Sequence, residues 1–143
     1  MKRNPIVLVF AVFLGHTLIS QADAKCTQRA LEGKWFGYVT IVNVPNSSNN
    51  YSSYCEIELT KKGTLGMTAQ CTALSSNKLI DGLVDNLTGS NLTVASDCSV
   101  TGTVSSQLGG ATEIHGHIDR RQTSFVAAVK NTTGGVGSMS LVR

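Results

Sequence analysis

The sequence predicts an all-β protein: one small antiparallel up-and-down β-barrel of eight or nine short strands, held by two disulfides. Three observations carry this. Charged residues are scarce at 15% of the 143 residues, and the chain is rich in Thr, Val, Ser and Gly, which disfavours helices and suits strands and turns. Short stretches of alternating apolar and polar residues follow one another, separated by turn clusters, with loops too short for crossover helices. An apolar-x-Gly-x-apolar pattern recurs along the chain. It stands as Trp35-Phe36-Gly37-Tyr38-Val39, Ile80-Asp81-Gly82-Leu83-Val84, Val100-Thr101-Gly102-Thr103-Val104 and Ile114-His115-Gly116-His117-Ile118, with a weaker copy around Gly137. Strand side chains alternate with period two, so each glycine shares the core face with its apolar neighbours. A glycine there packs nothing and suits a sharply coiled strand in a tight barrel. The spacing of the glycines is irregular, which excludes a solenoid repeat.

The first 24 residues read as a separate segment. Lys2 and Arg3 form a basic start, 6–14 is an unbroken apolar run, and Ala22-Asp23-Ala24 is a small-x-small site. This is the pattern of a secretory signal peptide cleaved after Ala24, and its apolar run is too short to span a bilayer. The domain layout is therefore 1–24 signal peptide and 25–143 one β-barrel domain, with no transmembrane segment in the mature chain. Lys25–Arg143 has room for one core. Without Lys2, Arg3 and Asp23 its net charge falls from +3 to +2. That charge is scattered, apart from Lys61-Lys62 and Arg120-Arg121, so it leaves no nucleic-acid footprint.

All four cysteines, Cys26, Cys55, Cys71 and Cys98, lie behind the leader, which points to disulfides in an oxidising space, secreted or periplasmic. No C-x-x-C pair supports zinc, and Lys25 before Cys26 does not fit a lipidation site. Sequons at Asn46, Asn50, Asn86, Asn91 and Asn131 would suit a glycosylated eukaryotic surface. They also arise by chance in a chain this rich in Asn, Ser and Thr, and the short leader with a polar β-rich body favours a bacterial origin.

Alternation and turn residues place strands near 34–44, 54–60, 64–72, 79–84, 91–95, 98–105, 112–119, 124–130 and 136–142. Residues 27–32 are the sole candidate for a helical turn. Pro45 ends the first strand, and the polar loop Asn46–Ser53, flanked by Tyr51 and Tyr54, is the candidate recognition loop. Lys61-Lys62-Gly63 makes a short hairpin loop, and Thr88-Gly89-Ser90 reads as a turn. In the second strand Cys55, Ile57 and Leu59 share a face; in the third, Leu65, Met67, Ala69 and Cys71 do. Four cysteines allow three pairings. The hairpin at Gly63 brings Cys55 opposite Cys71, which favours Cys55–Cys71 and leaves Cys26–Cys98.

Few residues carry chemistry. His115 and His117 lie at i, i+2 on one strand, sharing a face with Glu113 and Asp119. Two imidazoles and the Asp119 carboxylate are a metal-ligating set in principle, but with no further histidine to complete a site the same residues read first as a polar stripe facing solvent. No cofactor is expected. No G-x-S-x-G, H-E-x-x-H, G-x-G-x-x-G or P-loop occurs, and Asp81 and Asp85 do not form an acid/base pair, so no catalytic residue is assigned and a non-enzyme is expected. Phe36 and Tyr38 face outward together as a candidate aromatic patch for a partner or carbohydrate.

Glu32-Gly33-Lys34-Trp35 carries the G-x-W that opens the first strand of lipocalins and other calycins, and Cys26 precedes it as a cysteine precedes the G-K-W of avidin-type barrels. The chain resembles a calycin in this start and in the antiparallel meander that follows. The resemblance implies that Trp35 plugs one barrel end and that a basic residue at the end of the last strand, here Arg143, packs over it. The further tryptophans of an avidin biotin site are absent, so no biotin site carries over. These readings lead to a secreted or periplasmic non-enzymatic binding protein whose partner is a small apolar ligand held in the barrel. The alternative is an inhibitor of a secreted hydrolase, a protease or lysozyme, or a cell-envelope interaction protein, with a secreted protein as partner.

Overall fold

Strict alternation is clearest in the strand Ser124–Asn131, where Phe125, Ala127, Val129 and Asn131 are buried while Val126, Ala128 and Lys130 face out. A strand patterned this way has one wet face and one dry face, and eight such strands can enclose a core by curling into a ring. The computed structural model describes residues 25–43, 50–75 and 79–143; the expected leader, 1–24, lies outside them. A 3-10 turn at Gln28–Leu31 precedes β1 (Gly33–Asn43), β2 (Tyr51–Leu59), β3 (Leu65–Leu74), β4 (Val84–Ser90), β5 (Thr93–Val94), β6 (Ser99–Ser106), β7 (Gly110–Ile118), β8 (Ser124–Asn131) and β9 (Gly135–Val142). All pairings are antiparallel. The order β4-β3-β2-β1-β9-β8-β7-β6-β5 closes on itself through a β4–β6 pairing, giving an eight-stranded barrel in which the short β5 runs on from β4 along β6. No described helix is long and apolar enough to cross a membrane.

The inward glycines answer to close strand contacts. On β1 and β9 the relation is reciprocal: a methyl group on Gly37 would sit on the Ser140 carbonyl oxygen, and one on Gly137 would sit on that of Thr40. Two coiled strands approach here more closely than a Cβ allows, and a backbone neighbour cannot swing aside as a side chain can. Gly102 and Gly116 meet backbone carbonyls of their neighbours likewise. The copy at Gly82 differs, because Gly82 lies in the β3–β4 turn at φ +75° with open space beside it.

That difference belongs to a wider correction. The strand expected at 79–84 is a turn up to Gly82, and β4 lies at Val84–Ser90. Thr88-Gly89-Ser90, which reads as a turn, is strand. The β4–β6 register shifts between Leu87 and Gly89, so the glycine marks a bulge in a ladder. Met67 departs from its expected face for a similar reason. The β2–β3 register shifts between Ile57 and Leu59, the extra β3 residues bulge outward, and Met67 is 99% exposed.

Both disulfides form as the hairpin argument favours, Cys26–Cys98 and Cys55–Cys71, and Cys55 and Cys71 are direct register partners. The largest fully buried side chains, apart from the disulfide-bonded Cys55 in the middle of β2, are Leu31, Trp35, Val100, Ile118, Phe125 and Leu141. All come from the 3-10 turn or from strand ends at the same pole of the barrel. Each fully buried side chain of this size contributes roughly 1.5–3 kcal/mol, so the packed core is concentrated at that pole and the opposite half is left less filled.

The β7–β8 turn at the packed pole is organised by one carboxylate. Asp119 Oδ1 accepts the N–H groups of Thr123 and Ser124, both at 2.6 Å. Oδ2 accepts the Arg121 N–H at 3.2 Å and the Thr123 hydroxyl at 3.1 Å. These bonds, the one from Ser124 foremost, hold the Asp119 carboxyl below its ordinary value. A folded value below the unfolded one, about 3.9, adds stability above that pH and withdraws it as pH falls through the folded value. The carboxyl is solvated, so the effect is modest. Urea midpoints followed from pH 6 to pH 2 are expected to fall further for the native protein than for Asp119→Asn; parallel curves would contradict this.

Candidate functional site

One pole of the barrel is sealed. Trp35 is fully buried there, donating its indole N–H to the Leu31 carbonyl at 2.8 Å and meeting Phe125 edge-on at 6.4 Å between centroids. The Arg143 guanidinium lies over the indole, 4.5 Å from its centroid, and Nη2 donates to the carbonyls of Ala30 at 2.6 Å and Glu32 at 2.7 Å. The guanidinium thereby satisfies carbonyls at the end of the 3-10 turn, which has no further helix to bond, while it stacks on a π-face. Gln28 ties the same turn to the β5 region, donating to the Leu92 carbonyl at 2.6 Å and accepting the Val94 N–H at 2.8 Å. Cys26–Cys98 fixes the segment covalently.

Above this seal the barrel is hollow. A cavity of about 320 Å³ runs toward the opposite pole. Inward positions of successive strands form its wall, among them Val39 and Ile41 of β1, Ile57 and Leu59 of β2, Ile114 of β7, Val129 of β8 and Met139 of β9. The far pole is the mouth. Ile80, Leu83 and Leu108 line it from the β3–β4 and β6–β7 turns, and Leu83 and Leu108 are exposed, 45% and 60%. An apolar rim around an apolar hollow is a feature of ligand entrances.

The polar groups of the wall gather toward the mouth: Tyr51, Ser53, Asp85, Ser106, Thr112, Asn131 and Thr133. Several already serve their own turns. Asn131, 8% exposed, accepts the Gly135 N–H at 2.6 Å and the Thr133 hydroxyl at 3.0 Å, which sets the β8–β9 turn and encloses this sequon. Ser106 Oγ accepts the Gly109 N–H at 2.9 Å, and Asp85 Oδ1 accepts the Leu108 N–H at 3.0 Å. Burial, reinforced by the Asp85 carboxylate, pushes the Tyr51 phenol above its ordinary value, so it stays neutral.

Tyr51 and Asp85 are the wall residues that sequence reasoning misses. Tyr51 reads as the flank of a loop, yet it opens β2 and turns inward; of the loop Asn46–Ser53, residues 46–49 lie outside the described ones. Asp85 carries a signal that could have found it. Leu83, Asp85 and Leu87 alternate, and all three line the cavity, so a carboxylate sits in the apolar register of β4.

The candidate metal ligands do not converge. Glu113, His115 and His117 are exposed on the outer face of β7, as alternation requires. His117 Nε2 is 3.0 Å from the Asp97 carbonyl, and Asp119 lies past the strand end, committed to its turn. Among the described residues no three side chains of metal-ligating type group together. Tyr38 is 57% exposed and stacks edge-on with Tyr54 at 5.5 Å on the outer face, while Phe36 is half-buried.

No protein family and no curated protein matches the chain. Solved structures do. The redesigned β-barrel mFAP1, bound to DFHBI, is similar with a TM-score of 0.60 and 21% identity over 82% of this chain and 98% of that one. The redesigned β-barrel mFAP0, also bound to DFHBI, is similar with a TM-score of 0.57 and 20% identity over 80% of this chain and 99% of that one. At these identities the likeness shows the fold, a closed antiparallel β-barrel.

Proposed function

We propose that this chain is a secreted, non-enzymatic barrel that binds a small apolar ligand in its interior. The observation that carries the reading is the cavity of about 320 Å³, sealed at one pole and opening through an apolar rim at the other. Close packing leaves few voids larger than a water molecule in a protein interior, and each lost contact weakens the core. An apolar hollow of this size is therefore a feature that ligand binding explains and stability does not. Two disulfides fit an oxidising compartment, in line with the expected leader. The stacking of Arg143 on Trp35 supports kinship with calycins, since it is the arrangement that resemblance implies. The two similar barrels bind a small molecule, which accords with this use of the fold.

The test is calorimetric titration with 1-octanol. A water-sized group occupies about 30 Å³, so the hollow matches a chain of roughly ten heavy atoms. Octanol is expected to bind the native protein with a negative heat-capacity change, the mark of apolar burial. Ala73→Phe, which adds a ring to the wall, should weaken binding at least tenfold while the far-ultraviolet spectrum stays native. Equal binding by both proteins would place the ligand elsewhere and remove the reading.

A further inference from the structure

The cavity wall has a sign. Among the described lining residues Asp85 is the one carboxylate, and no Lys, Arg or His joins it. Its Oδ1 is held by the Leu108 N–H, while Oδ2 lies beside Gly109 and takes no hydrogen bond among the described residues. Among the described residues no cation pairs with it, and the one ion pair found there, Arg29–Glu32, belongs to the sealed pole. A half-buried carboxylate with an unused oxygen, aimed at an apolar hollow, has acceptor capacity that a ligand can satisfy. The Tyr51 phenol on the same wall offers a neutral donor and acceptor. The hydroxyls of Ser53, Thr112 and Thr133 can also donate or accept, so they do not set the preference.

Electrostatics then separates ligands of equal length. An anionic head placed here would meet Asp85 in a site of lowered dielectric with no counter-ion among the described residues, where like charges repel far more than in water. A cationic head, or a neutral donor, would complete the carboxylate with a hydrogen bond, which is strongest when both partners are charged. We infer that the cavity selects apolar ligands ending in a hydrogen-bond donor, ammonium above all, and rejects carboxylates such as fatty acids. The inference rests on the binding reading above and adds the chemical class of the ligand.

Three probes of matched length decide it: octylammonium, 1-octanol and octanoate, titrated calorimetrically at pH 7 into the disulfide-intact protein. Octylammonium is expected to bind at least tenfold tighter than octanoate, since a charge-assisted hydrogen bond is worth about tenfold or more. In Asp85→Asn, which keeps an oxygen for Leu108, that ratio should shrink to within about twofold while octanol changes less than about threefold. Octanol binding together with octanoate at least as tight as octylammonium overturns the selectivity and leaves the cavity reading standing. An undiminished ratio in Asp85→Asn overturns the assignment to Asp85. Binding of none of the three removes the cavity reading, and this inference with it. The native ratio decides the selectivity even if the variant does not fold.

Discussion

Trp35→Ala will remove a large part of the stability of the barrel, about 3–5 kcal/mol for truncation of a buried aromatic. Three losses combine. The indole leaves a void beneath Phe125 at the most densely packed pole. The Leu31 carbonyl loses its buried donor, and an unsatisfied buried acceptor costs roughly 1–3 kcal/mol. Arg143 loses the π-face it covers, leaving a guanidinium over a cavity. Trp35→Phe separates these contributions, because a ring remains beneath Arg143 while the N–H bond is gone; about 1–2 kcal/mol is expected. Urea unfolding with linear extrapolation measures both. Domains of this kind have roughly 5–15 kcal/mol in total, so Trp35→Ala should be marginally folded at 37 °C. A loss below about 1 kcal/mol would show that the indole is not the keystone of the seal.

Removing the Cys26–Cys98 bridge as Cys26→Ala with Cys98→Ala should cost a comparable amount. The bridge joins residues 72 apart in sequence, and the chain-entropy relation gives about 4 kcal/mol for a loop of that length. The same relation gives about 3 kcal/mol for Cys55–Cys71, whose separation is 16. The two double variants also differ in where they act. Cys55–Cys71 links register partners that the β2–β3 ladder already holds together. Cys26–Cys98 pins a segment whose other polar ties among the described residues are few: the Cys26 N–H to the Ser96 carbonyl at 3.2 Å, the Trp35 indole to the Leu31 carbonyl, the two Gln28 bonds and the Arg143 clasp. Hydrogen exchange should therefore quicken at the Trp35 indole and the 3-10 turn when Cys26–Cys98 is removed, and stay slow there when Cys55–Cys71 is removed. Equal protection in both variants would show that the noncovalent ties suffice.

How much of this was legible depends on what each residue's neighbours in sequence can reveal. The meander, the Gly63 hairpin and the disulfide pairing follow from period-two alternation and turn chemistry, which are local. A three-residue motif and a place at the end of the last strand nominate Trp35 and Arg143, although the two meet from opposite ends of the sequence of strands, β1 and β9. β4 was misplaced because Leu79 and Ile80 look like the start of a strand, whereas Leu79 lies in the turn at the mouth, 89% exposed. Gly89 signals a turn as readily as a bulge, and only pairing with β6 distinguishes the two. The site residues suffered most. Tyr51 and Asp85 come together through the ring of strands, and no spacing in the sequence joins them. His115 and His117 were conspicuous by type and turned out to face solvent.

The pairing of β1 with β9 has a consequence in time as well as in space. Every other seam of the ring joins strands that are neighbours along the chain, or are parted only by the two-residue β5 in the case of β4 and β6, but this one sets Phe36 against Val142. The loop entropy of that meeting must be met before the contact rewards it, and topologies dominated by distant pairings fold in about milliseconds to seconds. Until the ring shuts, β1 and β9 each present an unpaired edge. The β1 stretch Tyr38-Val39-Thr40-Ile41-Val42 carries no charge and is rich in β-forming residues, the composition that assembles between chains. The unfinished barrel is thus sticky along the line where the finished one is tightest, and its yield on refolding is set by a race between ring closure and encounter with another copy.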